Sequence, residues 1–408
     1  MFFKVKTTEE VLSLVASFSP VGEESVPLAK AFGRVLSKDI LAPENLPGFL
    51  RTTVDGYAVR ARDSFGATEN LPALLEIAGE VKMGEVPSVA VGAGKAVRIS
   101  TGGMLPQGAD SVVMIEYCHR LDQSTLEVSR AVSPQENVIQ PDDDFKDGDL
   151  VVGRGRRLRA QDVGVMAGLG VTDVPVYRIP KVAIISTGDE VIPIDRKPEP
   201  GQVRDINTYT LSAFCEQEFV VPIFIGLCRD RFDDLLAMVR KGLEVADSVW
   251  VSGGSSVGTR DLTLKVLESL EDMELLVHGI SISPGKPTII ARIGPRALFG
   301  LPGHVASAMV VAEIFLRPFL SRLSGEAEKK RHNVVKARLA RNVESASGRD
   351  DFLRVRLVKQ GDEWVAEPIF GKSGLISTLV EADGLLRVDR NTEGLYQGDR
   401  VEVVVFER

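Results

Sequence analysis

Three glycine-rich segments stand where chemistry is easiest to build, each at the end of an apolar run or the start of a helix. They are Ser186-Thr187-Gly188-Asp189-Glu190 after VAII, Ser252-Gly253-Gly254-Ser255-Ser256-Val257-Gly258 after SVWV, and Gly300-Leu301-Pro302-Gly303-His304 before VASAMVVAEIF. Glycine lets the backbone approach an oxyanion closely, and the amides of a turn or helix start donate to it. The hydroxyls of Ser252, Ser255 and Ser256 add donors, and Pro284-Gly285-Lys286-Pro287 holds one ammonium on a stiff backbone. A lone SGG is usually only a tight turn, whereas three such segments at one sheet edge point to anion binding. None is a Walker A or GxGxxG sequence, so ordinary NTPase and dinucleotide readings are disfavoured.

Carboxylates gather at the same expected edge: Asp189, Glu190, Asp205, Asp230 and Asp261. Beside a phosphate site they suggest a divalent cation of the Mg²⁺ kind, held by few protein oxygens plus ligand phosphate. Acidic residues at helix starts also simply cap helices, and for Asp230 and Asp261 that reading stands equally.

The elements that must position these residues follow from periodicity. VAIIST, VPIFIG, SVWVSGG and TIIARI are Val/Ile-rich runs of the kind buried parallel strands require. Helical stretches at 206–218, 231–245, 261–270 and 304–322 separate them, which implies βαβ units and a three-layer α/β domain. Ahead of it, residues 7–17 predict a capped amphipathic helix, with Thr7 or Thr8 as N-cap and Glu9 and Glu10 in the first turn. A second helix is expected around 24–36, and short β-rich runs between 75 and 133 read as a small β-domain. PDDDFKDGD and the basic stretch with Arg154, Arg156, Arg157 and Arg159 read as a solvated charged linker. Beyond GEAEKKRHN, residues 333–408 return to alternating strands and form a separate β-domain.

At 408 residues the chain exceeds what one core can organise. A net charge of -8 gives no bulk attraction to nucleic acid or acidic lipid, so an anionic ligand needs local donors. Cys118, Cys215 and Cys228 form no CxxC pair, so neither a disulfide framework nor a thiolate zinc site is indicated. The opening MFFKVKTTEEVLSLV carries acids where a signal peptide needs its apolar run, and no stretch approaches the ~20 residues of a membrane span. The expectation is a cytoplasmic protein.

Seven motifs in order over nearly the whole chain, LPGFLRTTVDGYAVRARD, VRISTGGMLPQGADSVVMIE, VAIISTGDEV, GQVRDIN, SGGSSVGTRD, PGKP and GLPGHVASA, resemble the molybdopterin molybdenumtransferase family, known as MoeA in bacteria and as the E domain of gephyrin in animals. LPGFLRTTVDGYAVRARD resembles the family's Pro…Ser-Ala-Met-Asp-Gly-Tyr-Ala-Val segment, and VRISTGGMLPQGADSVVMIE its Thr-Gly-Ala-Pro stretch. VAIISTGDEV, GQVRDIN, SGGSSVGTRD, PGKP and GLPGHVASA follow in family order, and FLRVRL and SGLISTLVEADGLL resemble its C-terminal domain.

The resemblance implies four domains: an elongated one from residues 1–22 and 150–178, an inserted β-rich one at 23–149, an α/β molybdopterin-binding one at 179–326, and a β-barrel-like one at 327–408. It implies a homodimer that inserts molybdate into adenylylated molybdopterin and releases AMP with Mg²⁺, working beside the molybdopterin adenylyltransferase. Carried over by motif, Asp55, Thr101, Asp144, Glu190, Asp261 and Lys286 take catalytic positions. Thr187, Gly188, Asp230, Ser252, Gly253, Gly254, Ser255, Ser256, Pro284, Gly285, Pro302, Gly303 and Ser307 take ligand-binding ones. Asp55, Asp144, Glu190 and Asp261 would hold Mg²⁺.

The sequence departs from the family in four places. Ser-Ala-Met becomes Thr52-Thr53-Val54, an Arg-rich run becomes Ile139-Gln140-Pro141, the basic residue before PGKP is Ser283, and Gly-Asn-Pro-Val-Ser becomes Gly303-His304-Val305-Ala306-Ser307. Lost cations weaken binding of a highly charged ligand. They favour a second reading, a paralogue that binds, stores or hands on the cofactor without catalysis. A tungstate-handling homologue and a scaffold in the manner of gephyrin are further readings.

Overall fold

Thr7 starts the first helix, α1 (Thr8–Ala16), through a reciprocal cap: its hydroxyl accepts from Glu10 N–H at 3.2 Å, and the Glu10 carboxylate accepts from Thr7 N–H at 2.8 Å. The computed structural model describes residues 5–253, 257–327 and 334–406, with backbone alone at 257–261. These residues fall into two compact units, one of 39–153 with 160–172 and the other of the remainder.

In the smaller unit, six strands form one sheet: β1 (Gly56–Val59), β2 (Ala73–Val81), β3 (Lys95–Ile99), β4 (Ser111–Met114), β5 (Cys118–Arg120) and β6 (Thr125–Val128), in the order β4-β1-β3-β2-β6-β5. Tyr57, Val59, Leu75, Val113 and Leu126 fill one face of it, as the small β-domain reading requires. A nine-residue helix, α2 (Ala160–Gly168), belongs to the same unit.

The larger unit holds an α/β sheet built from β7 (Lys181–Thr187), β8 (Val221–Cys228), β9 (Ser248–Gly253), β10 (Met273–His278), β11 (Ile289–Ile293) and β12 (Arg296–Pro302). Its helices are α3 (Asn207–Gln217), α4 (Phe232–Val245), α5 (Val257–Glu268), α6 (Val305–Val311) and α7 (Arg317–Leu323). The strand order is β8-β7-β9-β12-β11-β10, with β8, β7, β9 and β12 parallel. Alternate residues of each strand feed opposite layers, which is why the strands are apolar throughout. Val182, Ile184, Trp250 and Phe299 pack with Leu211, Phe214, Phe315 and Phe319, while Ala183, Ile185, Val249 and Leu298 pack with Leu235, Val239 and Val266. Five further strands, β13 (Val334–Leu339), β14 (Asp350–Gln360), β15 (Glu363–Pro368), β16 (Gly384–Val388) and β17 (Arg400–Val405), close on themselves through a β14–β16 pairing. No helix among the described residues is long and apolar enough to cross a membrane.

Three expectations are corrected. Residues 24–36 form the strand Glu23–Pro27 and a 3-10 turn at Leu28–Lys30, because Val26 is buried by antiparallel pairing with Asp173–Tyr177 and Gly33 turns the chain at φ +75°. TIIARI is antiparallel, since Gly294 and Pro295 make a two-residue turn that pairs Ile293 with Arg296. The helix expected at 304–322 carries a π-turn at Ala312–Leu316, where Pro318 has no N–H to return to the preceding turn.

The N-terminal helix is clasped to the barrel by a buried carboxylate. Asp350, 1% exposed, accepts from Thr8 Oγ1 at 2.5 Å and from Arg387 at 3.0 and 3.1 Å, and Arg387 also donates to Glu9 at 2.6 Å. That bond to Arg387, with the nearby positive charge, lowers the pKa of Glu9. Thr8→Val leaves one oxygen of a buried carboxylate short of a donor, at a cost of about 1–3 kcal/mol. Guanidinium denaturation is expected to show the lower midpoint, and an unchanged midpoint would mean that Arg387 and the Arg390 N–H suffice for Asp350.

Candidate functional site

Parallel pairing aligns Ser186 with Ser252 and Leu301, and Thr187 with Gly253 and Pro302. The three strands therefore end level, and their loops leave the sheet together. A cavity of about 270 Å³ opens there. The first loop lends Ser186, Thr187 and Glu190, the second Ser252 and Gly253, and the third Gly303, His304 and Val305. Val191, Val203, Arg204, Asp205, Ile206 and Asn207 close one side, and Gly374 comes from the loop after β15. The level ends depend on Gly253, because a Cβ there would collide with Cγ2 of Thr187 and stand 3.0 Å from its carbonyl oxygen.

The first turn of α3 is tied to these strand ends. Asn207 Nδ2 donates to Ser252 Oγ at 2.7 Å and to the Gly303 carbonyl at 2.8 Å, with Asn207 8% exposed and its Oδ1 without a partner among the described residues. Ser186 Oγ donates to Asp205 Oδ1 at 2.9 Å and lies 2.9 Å from Thr208 Oγ1, while Thr208 N–H donates to the same Asp205 oxygen at 3.1 Å. Asp205 thus ties the Ser186 hydroxyl to the first turn of α3.

Beside the cavity, Asp230 accepts from Thr187 Oγ1 at 2.7 Å, and its N–H reaches Asp189 Oδ1 at 3.4 Å. Burial raises the Asp230 pKa, and the charges of Asp189 and Glu190 push it the same way against the Thr187 hydroxyl. His304 precedes α6, with Nδ1 at 3.3 Å from Ser373 Oγ. Among the described residues, no three His, Cys, Asp or Glu side chains converge on a metal position.

The remaining expected residues distribute as follows. Gly188 lies in the first loop, Pro302 ends β12, and Ser307 is buried in α6. Pro284, Gly285 and Lys286 form the turn before β11 and do not line the cavity; the Lys286 side chain is exposed. Gly285 sits at φ +117°, where a Cβ would come within 2.8 Å of Ile282 and Val311. Gly254, Ser255 and Ser256 lie outside the described residues, as does the side chain of Asp261. In the smaller unit, Thr101 N–H donates to Asp55 Oδ1 at 2.8 Å, so these two meet. Asp144 is exposed, its N–H bonded to Leu46 O at 3.0 Å. Arg51 pairs across a short ladder with Ile139, and its buried Nε has no hydrogen-bond partner among the described residues.

Sequence reasoning missed Asn207, Arg204 and Gly374 as lining residues. The motif GQVRDIN already contained two of them, and the turn into a helix at the sheet's carboxyl edge was the signal available.

Three family models match the chain: the MoeA N-terminal region (domain I and II) over residues 6–170, a probable molybdopterin binding domain over 183–322, and the MoeA C-terminal region (domain IV) over 336–406. A putative molybdopterin biosynthesis protein of Methanocaldococcus jannaschii is 33% identical, over 94% of this chain and 92% of that one. A molybdopterin molybdenumtransferase of Haemophilus influenzae is 31% identical, over 95% of each. The crystal structure of a molybdopterin biosynthesis MoeA protein from Pyrococcus horikoshii superposes with TM-score 0.83 at 38% identity, over 99% of this chain and 100% of that one.

The raised pKa of Asp230 has a consequence for stability. The folded state holds its proton more tightly than the unfolded one, so ionisation at neutral pH opposes folding. Asp230→Asn keeps an acceptor for Thr187 and removes the charge facing Asp189 and Glu190. Thermal melts are expected to show a higher Tm than wild type at pH 7–8, with the gap closing as pH falls into the carboxylate range. A gap that widens on acidification would contradict the cause given for the shift.

Proposed function

The chain belongs to the MoeA family of molybdopterin molybdenumtransferases, and from that premise we propose that it inserts molybdate into adenylylated molybdopterin with release of AMP. One observation carries the reading: three strand-end loops and the first turn of α3 enclose a single cavity rich in hydroxyls and carboxylates. In the reaction, the phosphoanhydride P–O bond breaks, a water oxygen ending on AMP and its proton on the pterin's phosphate, while the two dithiolene thiols replace two oxo ligands of molybdate, which leave as water or hydroxide.

The chain's own residues supply the binding. Ser252 and the amides at the ends of β9 and β12 face the ligand, with Lys286 assigned to phosphate. Asp55, Thr101 and Asp144 are assigned to turnover, Thr101 as a donor to the incoming oxyanion. The acid-rich rim, where burial and then the charges of Asp189 and Glu190 raise the pKa of Asp230, suits a hard cation bound by few protein oxygens. Glu190 and Asp261, with Asp55 and Asp144, are the assigned Mg²⁺ ligands, and the ion would neutralise phosphate charge when bound. The four domain boundaries expected above, a cytoplasmic location, a homodimer and supply by the molybdopterin adenylyltransferase complete the proposal.

Incubating the protein with adenylylated molybdopterin, molybdate and Mg²⁺ is expected to yield AMP together with cofactor that activates a molybdenum apoenzyme. Tight ligand binding without AMP would instead establish the non-catalytic paralogue. Lys286→Ala should weaken ligand binding about tenfold or more, the effect of one charge-assisted contact. Asp55→Ala should lower kcat more than it weakens binding. Unchanged kinetics in both variants would remove these assignments.

A further inference from the structure

Two serines stand side by side at the floor of the cavity, Ser186 on β7 and Ser252 on β9, paired in register. Both are nearly buried, at 3% and 2% exposed, and by residue type they are equivalent donors to a ligand. The first turn of α3 makes them different. We propose that Asn207 is a positioning residue that makes Ser252, and not Ser186, the hydroxyl donor presented to the substrate; the inference rests on the reading that this cavity takes the pterin substrate.

A serine hydroxyl has one proton to give and lone pairs to receive with. At Ser186 the proton is committed, because Asp205 as a carboxylate can only accept and lies 2.9 Å away. Thr208 Oγ1, at the same distance, then donates to the Ser186 oxygen. Ser186 therefore offers the ligand no proton, and its bonds fasten β7 to α3.

At Ser252 the arrangement is reversed. An amide nitrogen only donates, so the 2.7 Å contact from Asn207 Nδ2 occupies a lone pair of Ser252 Oγ. The second Nδ2 proton goes to the Gly303 carbonyl at 2.8 Å, which fixes the amide's orientation, since a flipped amide would set two acceptors against each other. Among the described residues Ser252 has no acceptor for its own proton. Its O–H is thus left for a ligand oxygen, polarised by the hydrogen bond it receives. Gly303 opens the third loop, so the same amide also holds that loop against β9.

The test is a double-mutant cycle on turnover of adenylylated molybdopterin, using Asn207→Ala, Ser252→Ala and the pair. Each single variant is expected to raise KM roughly tenfold, with a smaller effect on kcat. In the Ser252→Ala background, Asn207→Ala should raise KM little further, because the donor it positions is already gone. A purely structural role would instead give additive effects, and that result overturns the inference. Should Asn207→Ala fail to fold, Ser186→Ala and Ser252→Ala decide the matter without it. Ser186→Ala is expected to lower Tm more than it raises KM, and Ser252→Ala the reverse; equal KM effects overturn the inference. A wild-type chain that neither turns over nor binds the adenylylated pterin overturns the functional reading and this inference together, whereas additivity in an active enzyme overturns this inference alone.

Discussion

The close, level approach of β7 and β9 is the constraint on which the rest of the site depends. Gly253 has no side chain, and the space a Cβ would need is filled by the Thr187 methyl group. With that contact in place, Thr187, Gly253 and Pro302 stand in one row, and the loops beyond them enclose a common volume. Register in a two-faced sheet resists slipping, because moving one residue would exchange the set packed by Phe214 and Phe319 for the set packed by Leu235 and Val239. Burial on both faces therefore sets the position of the hydroxyls at the edge.

Electrostatics at that edge oppose the ligand that the fold invites. Asp189, Glu190 and Asp230 crowd one side of it; burial chiefly raises the Asp230 pKa, and the two neighbouring charges push it the same way. The nearest lining cation, Arg204, directs its Nε at the carbonyls of Ile194 and Arg196, each 3.0 Å away. Among the described lining residues a phosphate-bearing ligand finds hydroxyl and amide donors, so positive charge must come from beyond that lining, as Lys286 and a cation bound with the ligand would supply. Such a site costs stability when empty and regains it on binding, so ligand and cation should each stabilise the fold in the other's presence.

Much of this was legible in the residues, and what was not has a common cause. The Val/Ile runs announced buried strands, Thr7 with Glu10 announced the helix start, and the strand-end glycines announced where loops would meet. Residues 24–36 misled because Val26 is buried by a strand some 150 residues further along, a pairing that local periodicity cannot register. TIIARI misled because composition shows burial and not direction, which Gly294 and Pro295 alone decide. Asn207 was passed over because its partners lie 45 and 96 residues away and an asparagine at a helix start is ordinarily a cap. Lys286 is exposed on the turn before β11, and because β11 runs antiparallel its first residue, Ile289, pairs with Gly300 at the edge where the third glycine loop emerges.

The C-terminal barrel is part of the cavity's construction, and a buried cation shows why. Arg354, 8% exposed, donates to Thr378 Oγ1 and to the Gly371 carbonyl, both at 2.9 Å, and among the described residues no carboxylate pairs with it. Burial lowers its pKa, so the fold bears the cost of keeping this guanidinium charged. Its two bonds pin both ends of the segment 371–378, whose middle supplies Gly374 to the cavity wall. From that segment the Ser373 carbonyl accepts from Ala306 N–H at 3.2 Å, and its hydroxyl meets His304. The chain of contacts runs from Arg354 through Ser373 to the start of α6, and from Gly303 through Asn207 to Ser252. A change in the barrel core would thus reach the donor at the cavity floor through side chains already in contact.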